Sequence, residues 1–347
     1  MTYRIELQPS GNTFNVEEGE DILNAGLAAG YQLAYSCRRG TCSTCRCRII
    51  SGKVDYGEYL ESMLPEEMKA DGYVLLCQAT ALSDVVLDAQ ELSVKAQPPR
   101  EVPCRVKAIE MPVSDVAVVN LRLPQNEGFK HLAGQYIDIL LPDGKRRAYS
   151  IANAPSPHGV IDIELHIRHS PGGLFTDRVF SEMKARDLLR FEGPLGTMYL
   201  REDSDKPVIF VASGTGFAPI KAILEYAFDK GIDRPITLYW GGRRPKDLYM
   251  RDLVEDWARD HANFTFVPVI SDALPEDAWE GRTGFVHSAA LEDHPDMSGL
   301  QAYVCGNSRV VDAARSEYRR LGNLPAEEFF ADPFVEDWQT AKQEPAA

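Results

Sequence analysis

The hydrophobic rhythm of the chain changes twice and divides it into three blocks. In residues 1–93, apolar and polar positions alternate over 3–7 and again over 13–16, the period of half-buried strands, with Ser10-Gly11-Asn12 supplying the turn between them. Asp21 is placed to start a helix over 22–29, which Gly30 ends. Strands are expected at 47–50, 74–76 and 85–87, with an acidic stretch over 58–71 between the first two. Two strands, a helix, a loop and further strands is the order of a small β-grasp domain.

Gln97-Pro98-Pro99-Arg100-Glu101-Val102-Pro103 breaks this pattern, and an extended, semi-rigid linker is expected over 94–102. The second block, 103–201, carries strand patterns at 105–110, 117–123, 135–141, 148–151, 160–167 and 188–191, punctuated by glycine and proline, as in an antiparallel barrel or sandwich. The third, 202–337, opens on Val208-Ile209-Phe210-Val211-Ala212, apolar at every position and therefore read as a strand buried on both faces. A glycine turn and a helical run to Phe228 follow. Strands at 236–240, 264–269 and 302–305 then accompany helices at 253–261 and 309–321, the rhythm of an open parallel α/β sheet. Residues 338–347 read as a disordered tail. The fold class is thus multidomain, α+β and α/β.

Composition narrows the partners. The 347 residues are 44% hydrophobic and 26% charged, ordinary for a globular protein, and no apolar run reaches the length of a membrane span. The N-terminus alternates like a strand and does not read as a signal peptide. The net charge is −15, from 37 basic and 52 acidic residues, which argues against nucleic acid as a partner, because that binding needs a concentrated basic face. A cytoplasmic protein with no membrane partner is expected.

Four of the seven cysteines change the picture most. Cys37, Cys42 and Cys45 form C-x4-C-x2-C, and Cys77 follows at a distance, the plant-type [2Fe–2S] spacing. Gly40 permits close approach of the backbone, whose N–H groups can face the sulfides and tune the potential. Zinc also accepts four thiolates, but structural zinc usually takes two close cysteine pairs, and here three cysteines cluster while one stands alone. Cys47 lies outside the pattern, and Cys104 reads as a small buried hydrophobe.

In the second block, Arg147-Ala148-Tyr149-Ser150 is an R-x-Y-S motif at a strand end, and Gly172-Gly173-Leu174-Phe175-Thr176 opens a helix some twenty residues on. With these motifs the chain resembles the ferredoxin–NADP reductase superfamily. More narrowly, it is similar to the reductase components of bacterial ring-hydroxylating oxygenases that carry an N-terminal ferredoxin domain, over 3–334. The resemblance implies an antiparallel β-barrel that binds FAD. Arg147 would pair with the FAD pyrophosphate, Tyr149 would pack on the isoalloxazine and Ser150 would hydrogen-bond near its N5. His166 and Arg168 would pass along the flavin edge. Gly172, Gly173 and Thr176 would offer a helix start to the pyrophosphate. Arg146 is a neighbouring candidate that falls outside the motif register.

Ala212-Ser213-Gly214-Thr215-Gly216-Phe217-Ala218-Pro219 follows the buried strand. Gly214, Thr215 and Gly216 let the backbone and the helix N-terminus approach a dinucleotide pyrophosphate. Pro219 stands where the dehydrogenase fingerprint has its third glycine, and the superfamily's version ends in Ala-Pro. In the family, the Cys-Gly that here is Cys305-Gly306 lies beside the nicotinamide; Asn307 replaces the usual proline. Trp240-Gly241-Gly242-Arg243-Arg244 resembles the adenosine-side loop. Arg243 and Arg244 would suit the extra phosphate of NADPH, whereas the family resemblance implies NADH, so NADH is expected with NADPH as the alternative. Phe330 is a candidate aromatic near the flavin.

Together these residues imply an oxidoreductase in which electrons enter from NADH, pass through FAD and leave through a [2Fe–2S] cluster working near about −400 mV. Ser150, Tyr149 and Cys305 are the expected catalytic residues, and the expected partner is a terminal oxygenase component, as in aromatic hydrocarbon catabolism. A deoxysugar dehydrase, a di-iron monooxygenase or a cytochrome P450 are alternative acceptors, and a redox sensor without turnover is the alternative role.

Overall fold

The first strand of the chain pairs in parallel with the last strand of the first block, and this closes the N-terminal unit. The computed structural model describes residues 1–89, 91–92 and 97–334. These form two compact units, Met1–Pro98 and Pro99–Phe334. The expected tail at 338–347 lies outside the described residues, as does the 93/94 boundary.

In the N-terminal unit, β1 (Thr2–Gln8) and β2 (Thr13–Glu17) form a hairpin. The alternation works as the pattern requires: Ile5, Leu7, Phe14 and Val16 are buried. α1 (Ile22–Ala28) starts where expected, because the Asp21 carboxylate accepts from the Asn24 backbone N–H at 2.8 Å. β3 (Arg46–Ser51), β4 (Val54–Asp55), the short α2 (Glu66–Ala70), β5 (Tyr73–Leu75), β6 (Thr80–Ala81) and β7 (Val85–Asp88) complete it. The main sheet runs β2-β1-β7-β3-β5, with β1 parallel to β7 and α1 laid against it, a β-grasp arrangement.

The second unit begins with β8 (Arg100–Val113), three residues inside the segment expected as linker. Pro103 is tolerated because β8 pairs there with one neighbour only. β9 (Val116–Arg122), β10 (Tyr136–Leu140), β11 (Arg146–Ser150), β12 (Asp162–Arg168), α3 (Leu174–Ser181) and β13 (Leu188–Leu195) follow. The antiparallel order is β11-β10-β13-β8-β9-β12, and a bridge between Ile151 and Leu165 joins the two ends into a barrel around Phe129, Ile137, Phe191 and Leu165.

The remaining elements are β14 (Val208–Ser213), α4 (Phe217–Lys230), β15 (Ile236–Gly242), α5 (Arg251–Asp260), β16 (Phe264–Ile270), β17 (Arg282–Thr283), α6 (Val286–Asp293), β18 (Gln301–Asn307), α7 (Ser308–Arg320) and β19 (Phe329–Phe334). All pairs are parallel, in the order β17-β16-β15-β14-β18-β19. The apolar run of β14 feeds two cores: Val208, Phe210 and Ala212 face residues of α4 and α5, while Ile209 and Val211 face those of α6 and α7. Strand order reverses beside β14, between β15 and β18, and in such sheets the crevice at the reversal is where ligands bind.

Candidate functional site

The cysteine loop spans the gap between α1 and β3, and Cys77 follows β5. Three residues of the loop take left-handed backbone, Arg38 at φ 56°, Gly40 at φ 70° and Ser43 at φ 54°, which curls it tightly. A Cβ on Gly40 would stand 2.8 Å from the Glu58 carbonyl oxygen, so only glycine fits. Cys42, Cys45 and Cys77 are buried and Cys37 half-buried. Cys37 Sγ accepts from the backbone N–H groups of Arg39 and Thr41, both at 3.3 Å, and Cys42 Sγ accepts from that of Cys37 at 3.4 Å. Hydrogen bonds from Cys42 and Cys77 hold the Cys37 thiol well below its ordinary range, and Cys42 and Cys77 are pushed up in turn.

The donor set fits a [2Fe–2S] cluster: Cys37 lies beside Cys42 and Cys77, Cys45 lies beside the same two, backbone N–H groups are aimed at sulfur, and the buried Thr44 Oγ1 in the loop has no protein partner. Cys47 lies on β3 outside this set, its thiol raised by burial. Cys104 is buried in β8, its thiol pushed up by burial to about 12.

In the barrel, Arg147 and Tyr149 share one face of β11, opposite Ile139 and Ile137 of β10. Tyr149 packs on Phe175, 5.4 Å between ring centres, and burial raises its phenol. Gly172 is left-handed at φ 83°, and a Cβ on Gly173 would meet Thr176 Oγ1 at 2.6 Å. Thr176 spends its hydroxyl proton on the Ser170 carbonyl at 2.8 Å. What this turn can offer a phosphate is therefore the uncapped backbone at the start of α3. His169, held by Asp177 at 2.9 Å and stacked on Phe180, pins the same helix.

The His166 side chain is engaged by protein groups of two blocks. Its side chain is fully buried between Glu164, 2.9 Å from Nε2, and the Tyr249 hydroxyl, 2.8 Å from Nδ1. Burial lowers its pKa, so the ring is neutral near pH 7. A carboxylate can only accept, so Nε2 donates to Glu164 and Nδ1 accepts from Tyr249. Burial would raise the Glu164 carboxyl, but the His166 hydrogen bond and the Lys221 charge outweigh it and hold the group down.

Arg168 points toward the dinucleotide crevice. Its Nη1 lies 3.6 Å from Asp115, while Nε and Nη2 are buried with no partner. Its Cζ is 3.6 Å from where a Gly214 Cβ would be. Two unpaired donors beside a glycine turn and the start of α4 form a cradle that fits a pyrophosphate.

The turn itself is packed backbone to backbone. A Cβ on Gly216 would lie 2.2 Å from the Cys305 carbonyl oxygen, and one on Gly306, at φ 123°, would lie 2.4 Å from the Ser213 carbonyl oxygen. Thr215 is buried between the two glycines. Cys305 is fully buried, its thiol raised well above the ordinary value by burial, and it donates to the Asp332 carbonyl at 3.2 Å. The buried Ser150 hydroxyl donates to the Asp332 carboxylate at 3.4 Å. Asp332 of β19 therefore joins Ser150 of the barrel to Cys305 of the parallel sheet. The sequence pattern did not single it out, although it stands two residues beyond Phe330 on the same strand face. Phe330 itself packs on Tyr303 at 4.7 Å beneath the Arg201 guanidinium.

On the adenosine side, Arg244 makes a two-pronged pair with Asp277 at 2.5 and 2.8 Å, while Arg243 is largely exposed with Asp272 at 3.6 Å. The Asp247 carboxylate accepts the backbone N–H groups of both arginines and fixes the loop.

Comparison with known proteins agrees with this architecture. Residues 5–82 match the 2Fe-2S iron-sulfur cluster binding domain, 103–199 the oxidoreductase FAD-binding domain and 210–316 the oxidoreductase NAD-binding domain. The chain is 41% identical over 338 residues to a CDP-6-deoxy-L-threo-D-glycero-4-hexulose-3-dehydrase reductase of Yersinia pseudotuberculosis serotype I, covering 96% of this chain and 99% of the relative. It is 34% identical over 341 residues to terephthalate 1,2-dioxygenase reductase component 2 of Comamonas sp, covering 96% and 98%. The crystal structure of an Amycolatopsis cytochrome P450 reductase superposes with a TM-score of 0.78 at 32% identity, covering 96% and 99%. The chain belongs to the ferredoxin–NADP reductase superfamily, among the reductase components with an N-terminal plant-type ferredoxin domain. It is an NAD(P)H-dependent oxidoreductase that works with FAD and a [2Fe–2S] cluster. No helix among the described residues is long and apolar enough to cross a membrane.

Proposed function

We propose that the protein takes electron pairs from NADH and delivers them singly to a separate protein, an oxygenase component. The observation that carries the electron-entry half is the meeting of Ser150 and Cys305 on Asp332, because it puts the flavin-side strand against the carboxylate and the nicotinamide-side strand against the backbone carbonyl of one residue. Bound FAD supplies the exchange between a two-electron donor and a one-electron cluster. The chain supplies position. Arg147 and Tyr149 hold the flavin from β11, the start of α3 takes its pyrophosphate, and Arg168 with Gly214, Thr215 and Gly216 takes that of the nicotinamide dinucleotide. Ser150 donates to Asp332 and keeps its oxygen free to accept. Neutral Cys305 fills the floor without reacting. Cys37, Cys42, Cys45 and Cys77 hold the cluster.

NADH is favoured because Arg244 is already engaged by Asp277 and surrounded by acids, so only the loosely held Arg243 is left for an extra phosphate. A cytoplasmic setting follows from the free thiols the cluster needs.

A ring-hydroxylating oxygenase is the acceptor in keeping with the Comamonas relative. The Yersinia relative, at 41% identity, favours a second reading in which the acceptor is a deoxysugar dehydrase. Reduced enzyme mixed with a purified oxygenase component or with a dehydrase separates the two. Rapid reoxidation of the cluster by the first supports the oxygenase reading, and reoxidation by the dehydrase alone overturns it.

A further inference from the structure

Lys221 is a charged side chain in the middle of an apolar helix. α4 buries Phe217, Ala218, Ile220, Ala222, Ile223 and Leu224, and Lys221 is buried with them at 6% exposure. A buried ammonium is tolerated only when its donors are met. All three are: Nζ lies 3.1 Å from the Ala152 carbonyl oxygen, 2.7 Å from Glu225 Oε1 and 3.1 Å from Glu164 Oε1.

Two of these acceptors belong to the barrel. Ala152 lies two residues beyond Ser150, and Glu164 lies on β12. Glu225 adds a second grip, because its Oε2 accepts the Ala154 backbone N–H at 3.2 Å. Glu164 also accepts from His166, which in turn holds Tyr249 beyond β15, so the barrel and the parallel sheet are tied at two places through one carboxylate. α4 is a rigid element whose first residue follows the glycine turn, and Lys221 stands one helical turn on. The path from that turn through Lys221 to the strand end bearing Ser150 is short, one helical turn and two residues beyond the strand.

We infer that Lys221 is a positioning residue that sets the approach of the nicotinamide to the flavin. This rests on the functional reading above. The step it governs moves a hydride from the dihydronicotinamide ring to oxidised flavin, giving NAD+ and the two-electron-reduced flavin. Displacing reacting groups by an ångström costs on the order of 100-fold in rate, whereas ground-state binding spread over the whole dinucleotide suffers far less.

The test uses holoenzyme carrying FAD and cluster, with Lys221→Met and Lys221→Arg. In stopped-flow reduction under anaerobic conditions, Lys221→Met should retain wild-type FAD content and cluster absorption and an NADH dissociation constant within about threefold. Its flavin-reduction rate constant should fall roughly 10- to 100-fold. The long-wavelength charge-transfer absorption formed when NAD+ meets the reduced enzyme should weaken in parallel. Lys221→Arg, which keeps the charge and the donors, should recover part of both. A Lys221→Met enzyme with wild-type rate and charge-transfer band overturns the inference, as does a rate loss that merely tracks loss of FAD. Should Lys221→Met fail to fold, Glu164→Gln serves instead: a weakened band supports the inference and an unchanged one overturns it. Wild-type enzyme reduced by neither NADH nor NADPH would overturn the functional reading itself.

Discussion

The cluster loop and the crevice beside β14 both press backbone close to a cofactor, but they recruit their residues over different distances. Three of the four cluster ligands lie within the nine residues 37–45, and one returning strand brings the fourth. The crevice needs Ser150 and Arg168 from the barrel, Gly214 and Gly216 from the turn after β14, Cys305 and Gly306 from β18, and Asp332 from β19. The first is a local site whose geometry follows from spacing and left-handed backbone. The second exists only once a parallel sheet has put its strands in order.

The largest effect that could break this contrast comes from the loop. Cys77→Ala should abolish cluster-dependent cytochrome c reduction, a loss of at least about 100-fold, while NADH-to-ferricyanide activity stays within about twofold, because the flavin and dinucleotide blocks hold their own cofactors. Equal loss of both would show that the two sites are not separable. Next is Gly216→Ala, whose new methyl would stand 2.2 Å from the Cys305 carbonyl oxygen. Flavin reduction by NADH should drop about 100-fold, with the visible cluster spectrum unchanged.

A smaller change sharpens the adenosine side. Asp277→Ala releases Arg244, and the ratio of NADPH to NADH kcat/KM should rise about five- to tenfold, on the order of 1 kcal/mol for one freed charge-assisted contact. The smallest effect concerns acid. The N-terminal unit, 1–98, contains no histidine. In the barrel, burial lowers His131 to about 4 despite its hydrogen bond to the Asn153 carbonyl at 3.3 Å. The unfolded chain takes up this proton near pH 6.5 and the folded chain only near 4. The stabilisation is therefore complete above about 6.5 and is lost as pH falls toward 4, on the order of 3 kcal/mol. Melting followed at the flavin band should show this slope, and His131→Gln should flatten it.

Legibility in the sequence followed the same division. Asp21 as a helix start, the cysteine spacing, the R-x-Y-S strand and the glycine turn each announce themselves within a few residues, and the structure places them accordingly. Asp332, Glu164 and Lys221 gave no such signal. A lysine inside a helical run looks solvated until the fold shows that Ala152 and Glu164 meet it, and an aspartate among phenylalanines looks like a strand end until β19 is seen beside β18. His166 was legible as a site residue, but its side chain turns to Tyr249, a partner supplied by another block. β17 and α6 escaped because one is two residues long and the other is mixed in polarity.

Asp332 lies in the last strand described, and this has a consequence for biosynthesis. A ribosome has made every cysteine of the cluster set before it reaches β14, and domains generally fold in order as they emerge. The emerging chain can thus house its iron while Ser150 and Cys305 still lack Asp332, which joins them. The exit end of the electron path can be ready first, and electrons can enter only once β19 has been made.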